Sequence, residues 1–495
     1  MVFNSIEFLI FFPIVLLLYF LLPHKLRWIM LLTASYYFYV SWNFSLIWLI
    51  MFTTAVSYVS AIIIERIKQR YPNGEKRWQE RLWLILTLTV SLGILFFFKY
   101  FNFLSDSANG IFNLFRAENK DPTVLNLILP VGISFYTFQT LSYVIDVYRG
   151  TVKAEKHLGY YALYVSFFPQ LVAGPIERPE NLIPQLHQKH SFSWDNAVPG
   201  MRKMLVGFFK KMVVADLIAV YVNAVFNDPS SATGFGVLAA TVLFSFQIYC
   251  DFSGYTDIAI GCAEIMGIRL MQNFNRPYIS ESIKEFWRRW HISLSSWFKD
   301  YLYFPLGGSR CKKPRHMLNI FIVFLVSGLW HGAAWTFVLW GAIHGVYQII
   351  GALTKSLREK GWKALHLDPE GSFVRGARRV ITFALAAFAW IFFRANNLSE
   401  LGVLLRKLFT DWSFSLDYFK GTLEDMELTA LGIVITVLSL LIMRRMDIHG
   451  LSAKDTVRKN TLLGIRYVYL VWVIIFAWLL LALGDGASAF IYFQF

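Results

Sequence analysis

The chain has 495 residues and a mean hydropathy of +0.48; 56% of its residues are hydrophobic, 18% aromatic and only 16% charged. That composition excludes a soluble multidomain protein, and the long apolar runs exclude an outer-membrane barrel, whose strands alternate over about ten residues. The net charge of +15 lies in loops between apolar runs, a distribution that the positive-inside bias explains without nucleic acid as a partner.

Apolar segments are predicted at 8–22, 29–42, 44–64, 82–104, 125–148, 204–226, 234–265, 317–330, 335–354, 374–395, 427–443 and 464–484. Met1–Glu7 has no basic stretch and no small-residue cleavage site, so the first segment reads as a retained helix rather than a removed signal. Segments 29–42 and 317–330 are short for a crossing and suit re-entrant or half-span helices shielded by protein. The most basic connections, 65–81, 355–379 and 444–466, belong in the cytoplasm. If every segment crosses, both termini then lie outside, together with the acid-richer loop 396–426. No repeat or low-complexity linker divides the chain, so residues 1–495 read as one all-α, polytopic membrane domain with its core at about 160–350.

Polar residues in apolar surroundings carry the chemistry. Asp146, with Arg149, reads as a helix-end pair at the interface. The prolines and glycine of 166–203 forbid an uninterrupted helix. Asp251 and Asp257 sit inside a hydrophobic span and must face the protein interior. They either orient a histidine, bind a cationic helix or belong to a structural network. Over 281–301 a helical wheel places Lys284, Arg288, His291, Ser295 and Lys299 on one narrow face, away from a stripe of Phe286, Trp287, Trp290, Leu294, Trp297 and Tyr301. Pro305 and Gly307-Gly308 stop that helix. Its cations either meet lipid headgroups or line a cytoplasmic cavity for a phosphate-bearing thioester. His331, within Ser327-Gly328-Leu329-Trp330-His331-Gly332, is either a structural imidazole between packed helices or a functional one. His344, 13 residues on, would face another side of a continuous helix and reads as structural. Cys250, Cys262 and Cys311 have no metal-type or redox spacing, so no metal is expected.

Six strings in order resemble the membrane-bound O-acyltransferases, most closely the bacterial branch that serves alginate O-acetylation, with peptidoglycan O-acetylation and teichoic-acid D-alanylation proteins as relatives. They are Met1-Val2-Phe3-Asn4-Ser5, Phe168 to Ile176, Asp251 to Ala259, Phe286 to Ser295 with Trp297 to Tyr303, Gly328 to Gly332, and the closing Phe490 to Phe495. The resemblance implies a ring of roughly 11 transmembrane helices plus re-entrant helices around a central funnel. In it His331 corresponds to the hallmark histidine and His291 to the second one. The implied reaction moves an acetyl group from a cytoplasmic thioester to a hydroxyl for O-acetylation of an extracytoplasmic polysaccharide.

Such a transfer needs a base for the hydroxyl proton and a group that stabilises the oxyanion. His331 is the candidate base, while His291 or Arg288 stabilises the oxyanion or orients the donor. Lys284, Arg288, Ser295, Lys299, Trp290, Asp251, Asp257 and Trp330 form the expected substrate-binding set. No tightly bound cofactor is expected; acetyl-CoA or an acyl-carrier thioester is the expected donor. The lipid bilayer of a bacterial cytoplasmic (inner) membrane is the expected setting. The acceptor is either a polysaccharide or an extracytoplasmic acetyltransferase of the serine-hydrolase type. Rival readings are a peptidoglycan or teichoic-acid acceptor, a non-catalytic acyl transporter, and a purely structural scaffold for an export complex.

Overall fold

The computed structural model describes residues 1–115, 124–125, 129–172 and 174–449. The predicted segment 464–484, most of the basic connection 444–466, the closing Phe490–Phe495, Ala173 and residues 126–128 lie outside them. Every regular element among the described residues is helical. The trace divides into two compact units, Met1–Met201 with Ala259–Met271, and Arg202–Ile258 with Gln272–Phe495.

The first unit contains α1 (Ile6–Leu21), α2 (His24–Val40), α3 (Ile47–Arg70), α4 (Arg77–Phe115), α5 (Ile133–Arg149), α6 (Leu158–Ser166), α7 (Phe168–Leu171) and α8 (Pro179–His187). α1 starts where the Ser5 side chain accepts from the Phe8 N–H, and Gly150 ends α5 in the left-handed conformation that a residue with a Cβ resists. α3 packs on α4 and α5, and α2 on α6. The proline-rich stretch breaks as predicted. Pro179 opens α8, the short α7 is separated from α6 at Phe167, and the Gln139 and Gln170 side-chain amides both donate to the Tyr164 carbonyl. Buried Glu177 accepts from the Met271 N–H and from Asn181, fastening the returning segment 268–271 within this unit.

α9 (Trp194–Phe208) continues into a wider π-helical stretch, Phe209–Ala215, and then α10 (Asp216–Phe226) and α11 (Gly234–Ile265). After an extended passage come α12 (Ile283–Arg289), α13 (Ile292–Phe298), a second π-helical stretch (Lys299–Tyr303), α14 (Lys313–His331), α15 (Trp335–Leu353), α16 (Lys355–Ala364), α17 (Ser372–Arg394), α18 (Leu398–Thr410), α19 (Leu416–Asp425) and α20 (Ala430–His449).

Among the described residues, five helices are long and apolar enough to cross a bilayer: α3, α4 (over Arg77–Asn113), α11, α15 and α17. A sixth crossing follows if α19 and α20, bent by 73°, act as one broken span. The described residues thus form an all-helical, multi-pass membrane protein. Burial separates the roles of the spans: within its most apolar window α4 is 17% buried, whereas α11 is 67% buried. A span surrounded by protein can carry Asp251, Ser253 and Thr256, which lipid contact would not tolerate.

Candidate active site

The single helix predicted over 281–301 does not form. α12 ends at Arg289, Trp290 is extended, and His291 adopts a left-handed backbone (φ 43°, ψ 55°) before α13 begins. A non-glycine residue in that conformation costs on the order of 1–3 kcal/mol and needs support from its surroundings. The break is held by a segment distant along the chain, where the Asn273 carbonyl accepts from the Ile292 N–H and the Asn275 N–H donates to the Arg289 carbonyl. Trp290 and His291 are both completely buried. Trp290 stacks on Phe286 at 5.5 Å and packs against Trp390 at 5.0 Å. The predicted cationic face is dismembered accordingly: Lys284, Arg288 and Lys299 are exposed, Ser295 is half-buried, and His291 points away from solvent.

His331 is the last residue of α14, and the break at Gly332–Ala334 starts α15 as the other arm of a hairpin. The two arms meet at glycines: a Cβ on Gly328 would lie 2.3 Å from the Phe337 carbonyl oxygen, and one on Gly341 would lie 2.3 Å from that of Phe324. This close approach sets the end of α14 against Trp340, whose ring centre is 5.0 Å from the His331 imidazole. Phe393 of α17 lies 5.4 Å from it.

The two imidazoles therefore come together, with ring centres 6.1 Å apart. Trp330 stands 5.8 Å from His291 and 5.0 Å from His331, and Phe252 of α11 sets its ring edge-on to His291 at 4.8 Å. His344 belongs to the same chamber. It packs on Trp340 at 5.0 Å, and the Trp287 Nε1–H donates to its Nδ1 at 3.2 Å. Sequence spacing had set His344 on another side of a continuous helix; the Gly332–Ala334 break removes that premise and leaves both histidines touching Trp340.

A cavity of about 170 Å³ opens between α13 and α14, lined among others by Trp287, Ser295, Phe298, Lys299, Phe324 and Ser327. Ser327 precedes His331 by one helical turn, so the cavity borders the helix that carries the histidine. Lys284, Arg288 and Trp290 do not line it.

Asp251 and Asp257 engage two residues that the sequence pattern did not single out. Lys211 bridges Asp251 (2.7 Å) and Asp216 (2.8 Å), and Lys210 bridges Asp257 and Asp447 (2.9 Å each). Both lysines lie in the π-helical stretch and are buried. Gly207 and Gly254 let α9 and α11 touch backbone to backbone, a Cβ on Gly207 falling 2.5 Å from the Gly254 carbonyl oxygen. The signal was present in the sequence, as two adjacent lysines inside the apolar run 204–226. Among the described residues no group of His, Cys, Asp and Glu could hold a metal ion.

The described residues thus form a polytopic helical membrane protein that buries two imidazoles near an apolar cavity. The model of the membrane-bound O-acyltransferase family matches residues 35–366, which include both histidines. The chain is 38% identical over 464 residues to a probable alginate O-acetylase of Azotobacter vinelandii, covering 93% of this chain and 88% of the relative. It is 39% identical over 446 residues to the probable alginate O-acetylase of Pseudomonas aeruginosa, covering 90% and 81%. A peptidoglycan O-acetyltransferase of Helicobacter pylori is 36% identical over 439 residues, covering 82% and 79%. The chain belongs to the membrane-bound O-acyltransferase family, and it is a membrane O-acyltransferase.

Proposed function

We propose that this enzyme transfers an acetyl group from a cytoplasmic thioester, acetyl-CoA or an acyl-carrier thioester, to a hydroxyl serving O-acetylation of an extracytoplasmic, alginate-like polysaccharide. The observation that carries the reading is the pair of buried imidazoles 6.1 Å apart. His331 takes the proton of the acceptor hydroxyl as its oxygen attacks the thioester carbonyl. His291 faces the developing oxyanion or holds the donor, and the departing thiolate regains the proton. His291 suits this role better than Arg288, because His291 shares the chamber and Arg288 is exposed. Excluding water from such a chamber strengthens each polar interaction in it.

The cavity along α13 and α14 is the donor's path in this reading. At about 170 Å³ it is smaller than the roughly 300 Å³ or more of a complete small-molecule site. It suits a narrow thioester arm with the nucleotide or carrier left outside, near Lys284, Arg288 and Lys299. Trp290 and Trp330 wall the reacting centre, and the ion pairs of Asp251 and Asp257 hold α11 behind Phe252.

The alginate assignment follows from the names of the relatives from Azotobacter vinelandii and Pseudomonas aeruginosa. The immediate acceptor is either that polysaccharide or a serine-hydrolase-like acetyltransferase outside the membrane. The enzyme is placed in a bacterial inner membrane, as one domain whose ring of roughly 11 helices surrounds a funnel and whose termini are both outside. The test is reconstitution in liposomes with radiolabelled acetyl-CoA, comparing wild type with His331→Ala and His291→Ala. Transfer that persists without either histidine overturns the mechanism.

A further inference from the structure

His291 keeps its left-handed backbone between two short helices, and its own side chain does not cap the helix that follows. A break of this kind leaves the first N–H groups of α13 and the last carbonyls of α12 to be satisfied from elsewhere. One extended segment of three residues does so on both sides. The Asn273 carbonyl accepts from the Ile292 N–H at 2.9 Å, and the Asn275 N–H donates to the Arg289 carbonyl, also at 2.9 Å. The Asn273 side chain adds three more bonds: its Oδ1 accepts from the Ser293 hydroxyl at 2.6 Å and from the Ser293 N–H at 3.3 Å. Its Nδ2 donates to the Thr256 hydroxyl at 3.4 Å, on α11 one turn beyond Phe252, whose ring packs against His291. Asn273, Ser293 and Thr256 are all buried, so water does not replace these bonds.

We infer that Asn273 is a positioning residue for His291, clamping the left-handed turn that aims this imidazole at His331. The inference rests on the reading that His291 takes part in acyl transfer. The asparagine side chain suits this role, because one oxygen receives two donors from the residue two places after His291 while the amide nitrogen holds the neighbouring wall. Alanine removes all three side-chain bonds and leaves the two backbone ones. Aspartate keeps acceptors for Ser293 but brings a carboxylate into a buried site of neutral partners.

The test compares Asn273→Ala, Asn273→Asp, Ser293→Ala, His291→Ala and His331→Ala in liposomes. It measures kcat and KM with radiolabelled acetyl-CoA, thermal unfolding, and diethylpyrocarbonate labelling of His291 by mass spectrometry. Asn273→Ala is expected to lower kcat by about 10–100-fold, the scale of a small misplacement of a reacting group, with KM within about twofold. His291 should become more reactive to the reagent, and the unfolding temperature should fall by a few degrees because buried Ser293 and Thr256 lose a partner. Ser293→Ala should show the same split at smaller amplitude, whereas Asn273→Asp should also lower the unfolding temperature, because its carboxylate is buried among neutral partners. A wild-type kcat and unchanged His291 labelling in Asn273→Ala, with His291→Ala inactive, overturns the inference. If Asn273→Ala fails to insert, Ser293→Ala decides, and unchanged kcat and labelling there overturn it equally. Full activity in His291→Ala instead overturns the underlying reading.

Discussion

Two irregular backbones, the π-helical stretch Phe209–Ala215 and the left-handed break at His291, both carry polar side chains into apolar surroundings, yet they are built oppositely. At the first, Lys210 and Lys211 each bridge two carboxylates, from Asp257 and Asp447 and from Asp216 and Asp251. Charge is answered by charge, and the cluster ties α9, α10, α11 and α20 of that unit together. At the second, the two imidazoles pack on rings, among them Phe252, Trp330, Trp340 and Phe393. Ion pairs lock a conformation through charge, whereas rings hold an imidazole by packing. In the proposed mechanism the reacting groups lie among the rings, and the buried ion pairs hold helices together.

The largest expected effect is at the aromatic chamber. His331→Ala should lower transfer by about 10²–10⁴-fold, the usual contribution of a general base, with membrane insertion and abundance unchanged. Radiolabel transfer normalised to immunoblotted protein checks it. Parallel loss of protein and activity would erase the contrast and make His331 structural. The ion cluster should respond the other way. Lys211→Met strands Asp251 and Asp216, and breaking a buried pair of this kind costs about 3–5 kcal/mol. Thermal unfolding in detergent should fall by many degrees, while kcat per folded molecule stays within a few-fold of wild type. A normal unfolding temperature with lost turnover would move the lysine network into the catalytic machinery.

The contrast also explains what the sequence disclosed. The division between segments 317–330 and 335–354 was legible because its constraints are local: Gly328 and Gly332 flank His331 in one string, and Gly328 is where α14 meets α15. The inward placement of Asp251 followed from the cost of exposing a carboxylate to lipid, and it is 2% exposed. The five-residue cationic face failed because helical periodicity presumes a continuous helix. The break at His291 is imposed by residues distant in sequence, including Tyr249, Phe274 and Trp390 around Trp290 and Asn273 across the turn. The partners of Asp251 and Asp257 escaped for a related reason. Lys210 and Lys211 adjoin in sequence, and only the π-helical widening and the contact of Gly207 with Gly254 turn both toward α11.

The smallest expected effect belongs to the cations outside the chamber. Lys284 and Arg288 are exposed and do not line the cavity, while Lys299 is exposed at its edge, 5.9 Å from the Phe304 ring. Exposed charges attract an anionic donor through water, and salt screens that attraction over about 8–10 Å. Lys299→Ala should therefore raise KM for acetyl-CoA by about two- to fivefold at low ionic strength, with kcat unchanged. Lys284→Ala combined with Arg288→Ala should have a weaker effect, because neither side chain borders the cavity. Added salt should shrink the difference from wild type, since screening weakens the wild-type attraction that the variant lacks. Steady-state kinetics at two salt concentrations reads both. A fall in kcat that salt leaves untouched would place Lys299 at the reacting centre, and the division between an electrostatic entrance and an aromatic chamber would not hold.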